Sequence, residues 1–120
     1  MDREGTLRRT YRAFNDRDID KVLEFLHPDV DWPNAWEGGR VIGRDAVREY
    51  WTRQFKEISG NVEPESFTEE PDGVVTVLVH QVVHDANSGA LLSDSRVRHR
   101  YWFDEEGLVT RMEVLEEPAR

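Results

Sequence analysis

His99 sits in a strand-like stretch, Leu91 to Phe103, and Glu113 in the next, Leu108 to Leu115. Between them lies Asp104-Glu105-Glu106-Gly107, which fits a three-residue hairpin loop: a type I turn followed by glycine in the left-handed region. Such a loop sets Asp104 opposite Leu108 and therefore His99 opposite Glu113. A histidine beside a carboxylate can act as general base or acid, because the carboxylate orients the ring and raises its pKa. The same residues also fit a buried structural network completed by Arg111 or Gln81. The sequence leaves both readings open.

The elements that must position this pair divide into a helical half and a sheet. Asp2 to Asn15 reads as a helix with Leu7, Tyr11 and Phe14 on one face. Asp18 is placed to cap a second helix, which Pro28 is expected to end. Val30 to Trp32 reads as a short strand and Pro33 to Gly43 as a loop with a flexible Gly38-Gly39 pair. Arg44 to Ile58 is the longest helix, with Val47, Tyr50, Trp51, Gln54, Phe55 and Ile58 as its buried stripe. Four strand candidates follow: Asn61 to Thr68, Gly73 to His84, Leu91 to Phe103 and Leu108 to Leu115. Helices first and an antiparallel sheet afterwards indicate an α+β class, with residues 1–120 as a single domain.

Alternation with period 2 then sorts the strand residues. A second hairpin turning at Asn87-Ser88-Gly89 puts Val75, Val77, Val79, Gln81 and Val83 on the face of His99. Tyr101, Arg111 and Glu113 are expected on that face too. One residue of slip would invert the assignment. Above it the helices and loop supply Tyr11, Phe14, Trp32, Trp36, Trp51 and Phe55. Aromatics around a floor with few polar groups describe a site for a small apolar ligand, or else a core filled by its own side chains. Trp36, in a Gly-rich loop, is expected at the entrance. The opposite face carries Arg96, Arg98 and Arg100, a basic stripe of the kind usually solvated or paired with acids. Leu78, His80, Val82 and Trp102 share it, a mixture that fits a homodimer interface through Leu78, His80, Val82, Arg98 and Trp102.

Composition removes other classes. The net charge is −9, with no Lys/Arg cluster large enough to reverse it locally, which argues against nucleic acid as a partner. There is no Cys, hence no disulfide, thiol nucleophile or thiolate metal site. His80 and His84 stand at i, i+4 of a strand, roughly 13 Å apart, too far to share a metal ion; no metal and no cofactor are expected. No apolar run is long enough to span a membrane, and the start of the chain lacks the apolar core of a secretory signal. The expected location is the cytoplasm.

The segments AFNDRDIDKVLEFLHPDVDW, GRDAVREYW, VTVLVHQVV and RHRYWFDEEGLVTRMEV resemble the SnoaL-like branch of the nuclear transport factor 2-like superfamily. The resemblance covers nearly the whole chain. It implies a cone-shaped fold in which three N-terminal helices pack on a curved, mainly antiparallel sheet, commonly as a dimer, with a pocket between the layers. Polyketide cyclases of this type carry a His and an acid on the last two long strands, which His99 and Glu113 match, with Glu in place of Asp. The steroid-isomerase branch uses an aromatic hydroxyl on the first helix, a part open to Tyr11. The expectation is a cofactor-independent isomerase or cyclase acting on a small apolar carbonyl compound. His99 would move the proton, Glu113 would orient it, and Tyr11 or Gln81 would bond the oxygen. The alternatives are a non-catalytic binding domain with the same pocket and a dimeric module with a filled one.

Overall fold

A computed structural model describes residues 2–34 and 37–116. The chain runs α1 (Arg3–Asn15), α2 (Ile19–Leu23), β1 (Leu26–Pro33), β2 (Arg40–Ile42), α3 (Arg44–Glu57), β3 (Ile58–Glu69), β4 (Val75–Asp85), β5 (Leu91–Phe103) and β6 (Val109–Glu116). The strands form one sheet in the order β2-β1-β6-β5-β4-β3. Every pairing is antiparallel except that of β1 with β6. This is the expected α+β arrangement, with three helices over a six-stranded sheet. No described helix is long and apolar enough to cross a membrane.

Local chemistry explains the helix starts. The Asp2 side chain accepts from the Gly5 amide and Asp18 accepts from the Lys21 amide, so the first two helices are capped by carboxylates. Gly43 precedes α3 with a φ of 94°, a conformation that residues with a side chain avoid. The apolar stripes of α1 and α3 then meet the valine face of β4. Leu7, Val47, Val77, Val79 and Val109 are fully buried between the layers, which is where burial of apolar surface stabilises most.

Three local expectations are corrected. α2 ends at Leu23, well before Pro28, and Pro28 lies inside β1. The chain has to turn early because Leu26 is fully buried. Proline has no N–H for the ladder, and the β1–β6 register shifts between Leu26 and Asp31 around it. The loop expected over Pro33 to Gly43 contains β2, folded back on β1 through Gly38 and Gly39, whose φ values are 96° and 79°.

The third correction concerns the last hairpin. Its loop forms as expected: the Asp104 amide bonds the Leu108 carbonyl at 2.9 Å, and Gly107 has a φ of 88°. Just beyond it, however, Phe103 pairs with Val109 while Trp102 pairs with Arg111, leaving Thr110 as an extra residue. This β-bulge shifts the register by one and exchanges the faces of everything after it. Arg100, not His99, stands opposite Glu113; His99 stands opposite Val114. The β4–β5 hairpin pairs His84 with Leu91 next to its turn, one residue off the expected register, and a shift between Val83 and His84 restores it, pairing Val77 with His99 and Gln81 with Ser95.

Asn15 fastens the end of helix α1 to the edge of the sheet. Asn15 Nδ2 donates to the Val62 carbonyl and Asn15 Oδ1 accepts from the Val62 amide, both at 2.9 Å. β3 is an edge strand, and Asn15 satisfies two backbone groups there that would otherwise lack partners. Asn15→Ala should lower the unfolding free energy by about 2 kcal/mol or more. Asn61→Ala, which removes only an exposed contact to Glu63, should change it by less than about 0.5 kcal/mol. Urea denaturation measures both; equal effects would mean that Asn15 does not clamp the helix.

Candidate functional site

The inner faces of β4 and β5 and the undersides of α1 and α3 enclose a cavity of about 140 Å³. Tyr11, Phe14, Trp32, Trp51, Gln81, His99 and Tyr101, all expected there, line it. The aromatic wall is built from edge contacts: Phe14 on Trp51 and Trp32 on Trp51, each with ring centroids 5.5 Å apart. Phe55 is not in the wall. It backs Phe14 at 5.5 Å and carries the Arg17 guanidinium over its ring at 4.9 Å. Trp36 lies outside the described residues.

Arg111 and Glu113 are not in the cavity, because the bulge at Thr110 carries them to the outer face. There Arg111 bonds Asp31 of β1 and, at 2.8 Å, Glu113. Trp102 lies under both the Arg100 and Arg111 guanidiniums, at 5.6 and 5.8 Å. The expected pairing of His99 with Glu113 therefore does not form. Arg96 pairs with Glu65 and Arg100 with Glu70, so this part of the basic stripe is ion-paired across the outer surface.

In place of a carboxylate, His99 has two phenols. Tyr11 Oη lies 2.8 Å from His99 Nδ1, and Tyr101 Oη donates to Tyr11 Oη at 2.8 Å; Tyr101 Oη is 3.5 Å from Nδ1. Local structure delivers each group. His99 and Tyr101 are two residues apart on β5 and so share its inner face, while Tyr11 reaches down from α1 and its ring stacks on the imidazole. All three are buried.

The direction of the Tyr101–Tyr11 bond sets the proton positions along the chain. If Tyr101 donates to Tyr11 and Tyr11 donates to Nδ1, every hydroxyl hydrogen has a protein acceptor. Either direction leaves one donor without a protein acceptor, Nε2–H or the Tyr101 hydroxyl; with Tyr101 donating to Tyr11, as the structure has it, that donor is Nε2–H. In that arrangement Tyr11 donates to Nδ1 and His99 carries its proton on Nε2. That nitrogen makes no hydrogen bond to a described residue, and it belongs to a side chain lining the cavity.

Burial also fixes the charge of each group. It pushes the His99 imidazole down from 6.5 to about 4, so the ring is neutral at physiological pH. The Tyr11 hydroxyl is raised by burial and then by its neighbour Tyr101. Tyr101 is raised by burial, partly offset by its bond to Tyr11. The polar floor of the cavity is therefore uncharged. This is the opposite of a carboxylate-supported histidine, whose pKa would rise.

The cavity also contains polar groups that the strand pairing alone did not place. Tyr50 and Gln54 of α3 line it, with Gln54 Nε2 donating to Tyr50 Oη at 3.1 Å; Met112 and Val114 line it where Arg111 and Glu113 were expected. Tyr50 and Gln54 belong to the buried stripe that helical spacing marks. Met112 and Val114 carried a signal as well, being the apolar residues of an alternating Arg-Met-Glu-Val run. Gln81 makes no side-chain hydrogen bond to a described residue. It is four residues along β4 from Val77, the partner of His99, hence roughly 13 Å up the strand. Partly exposed Val83, Ile58 and Gly60 share its end of the cavity, which is therefore the mouth; buried His99 forms the floor. Among the described residues no group of three His, Cys, Asp or Glu could hold a metal ion.

The fold is shared widely. An NTF2-like protein of unknown function from Burkholderia pseudomallei superposes with a TM-score of 0.83 at 26 % identity, covering 98 % of this chain and 92 % of that one. A candidate polyketide cyclase from Xanthomonas campestris pv. campestris gives 0.76 at 26 % identity, covering 96 % and 90 %. A Mycobacterium tuberculosis protein in complex with estradiol-17β-hemisuccinate gives 0.75 at 19 % identity over 91 % and 88 % of the two chains. No protein of curated function matches the sequence. The family model of the SnoaL-like domain matches residues 7–112, and this chain belongs to that family, within the NTF2-like superfamily.

Proposed function

We propose that the cavity takes a small, neutral, largely apolar carbonyl compound and that His99 acts on it without a cofactor. The observation that carries this reading is the bond from Tyr11 to Nδ1 of His99, a residue that lines the cavity; we assign the remaining Nε2–H to the ligand. A neutral imidazole N–H polarises a carbonyl without requiring a charged partner. Glu113 has no part in this reading, and Tyr11 holds the ring where it was expected to hold the ligand oxygen. Gln81, which makes no side-chain hydrogen bond to a described residue, is the group we assign to meeting the ligand at the mouth. The outer face around Leu78, His80, Val82, Arg98 and Trp102 is the surface we assign to a second copy of the chain.

Size narrows the ligand. The M. tuberculosis relative was crystallised with a steroid ester, but a cavity of about 140 Å³ is close to the engineered cavity of about 150 Å³ that holds one benzene in another protein. The ligand we infer has one ring. The same lack of charge favours a second reading, a non-catalytic binder of such compounds, which differs from the first only in turnover.

A thermal-shift comparison of phenylacetone, cyclohexanone and estradiol tests the site. A one-ring ketone at 100 times its dissociation constant should add about 2.7 kcal/mol, a rise of about 10 °C for a domain of this size, and estradiol should add little. His99→Phe should abolish the ketone shift. No shift with either ketone, or an equal one in the variant, would contradict the reading.

Acid stability tests the neutral histidine itself. The unfolded chain takes up a proton at about 6.5, whereas folded His99 resists it down to about 4. Between those values the unfolded state binds the extra proton, so stability falls as pH falls. The loss from this one group should reach about 3 kcal/mol by pH 4. Unfolding free energies of wild type and His99→Gln, measured from pH 7 to pH 4, should converge by that amount; parallel curves would show that His99 is not buried as a neutral ring.

A further inference from the structure

We propose that Tyr101, Tyr11 and His99 form a two-ended proton relay that interconverts the keto and enol forms of a one-ring carbonyl compound. Tyr101 is the second group, beside His99, to touch the reacting atoms. The proposal rests on the pocket reading above and adds a mechanism to it. Its geometry is that of a chain closed by the ligand. Tyr101 Oη bonds Tyr11 Oη at 2.8 Å, and Tyr11 Oη bonds Nδ1 at 2.8 Å. The imidazole ring then links Nδ1 to Nε2. Both His99 and Tyr101 line the cavity. Tyr101 Oη is 3.5 Å from Nδ1, so the two ends are separated by no more than that distance plus the width of an imidazole ring. A carbonyl oxygen and its α-hydrogen fit such a gap.

The step balances as follows. The ligand carbonyl oxygen takes the Nε2 proton while the α-carbon releases its proton to Tyr101 Oη. The Tyr101 hydroxyl proton passes to Tyr11, and that of Tyr11 passes to Nδ1. One C–H bond breaks and one O–H bond forms. The C–H electron pair becomes the C=C bond of the enol, and the carbonyl π pair takes the incoming proton. The protein is left with its proton on Nδ1 in place of Nε2, and no group is left charged. The reverse passage restores the starting tautomer, and when the enol leaves first, the next enol taken up is returned to the ketone by that same passage.

Neutrality at every stage suits this site. Burial disfavours the imidazolium and both phenolates, and no carboxylate contacts the chain among the described residues. A base acting alone would have to become charged in that environment. A relay that exchanges protons at both ends does not. Because Tyr101 is a weak acceptor, the α-hydrogen must be acidified by a neighbouring group, as in an aryl-activated ketone.

The test is α-deuteration of phenylacetone in deuterium oxide, followed by proton NMR of the benzylic signal, with binding read in the same samples by saturation transfer. Deuterium enters when the enol leaves into solvent. The relay predicts acceleration over buffer that is flat from pH 6 to pH 9 after subtraction of the buffer rate. Tyr101→Phe and Tyr11→Phe should each reduce it by about a hundred-fold or more while still binding the ketone. Circular dichroism and melting curves establish folding, and Tyr101→Phe decides the matter if Tyr11→Phe does not fold. Binding without acceleration would overturn the relay and leave the pocket reading standing. Absence of binding would overturn both. Acceleration that survives Tyr101→Phe, or that titrates near neutrality, would assign the chemistry to His99 alone and overturn the relay.

Discussion

A single hydrogen bond between Tyr11 and His99 sets the position of the helical layer over the sheet. The bond joins the underside of α1 to the inner face of β5 at 2.8 Å in an interior that is otherwise largely apolar. A buried hydroxyl or imidazole without a partner is expensive, so the two must meet, and their meeting fixes both the rotation and the height of α1. Asn15 secures the same helix at the edge strand. With α1 held at these points, Phe14 and Trp51 form one wall of the cavity without collapsing onto the valines of β4. The cavity depends on a polar contact that holds the two layers in register.

Much of this was legible in the sequence. Asp2 and Asp18 cap helices, the valine run forms an interior strand, and the β4–β5 pairing beyond an irregularity at Val83 and His84 puts Gln81 and His99 on one face as their spacing implies. The last hairpin was misread because a turn fixes register only up to the next bulge. Thr110 costs the ladder a pair, but without it Arg111 and Glu113 would point into the apolar layer and Met112 and Val114 out to solvent. Burying two charged groups is the costlier arrangement. Side-chain polarity along β6 therefore outweighs turn geometry. Pro28 was misread for a similar reason: its local preference to end a helix gave way to burial of Leu26.

The bulge also decides the electrostatics of the site. It collects Asp31, Arg111, Glu113 and Arg40 into a network on the outer side of the sheet and leaves His99, among the described residues, with no ionised group bonded to it. SnoaL-type cyclases led to the expectation of a His–acid pair at these positions. Here the partners of the histidine are phenols, which orient it without charging it. A chain of net charge −9 thus encloses a neutral, aromatic cavity, and such a cavity favours ligands that carry no charge of their own.

The measurement that bears most directly on this account is nitrogen-15 and proton NMR of the His99 ring, recorded from pH 5.5 to pH 8 on otherwise unlabelled protein. The account predicts a neutral ring with its proton on Nε2, an unprotonated Nδ1 shifted by the Tyr11 hydrogen bond, and no titration across that range. A ring that protonates near pH 6.5, or one carrying its proton on Nδ1, would contradict it.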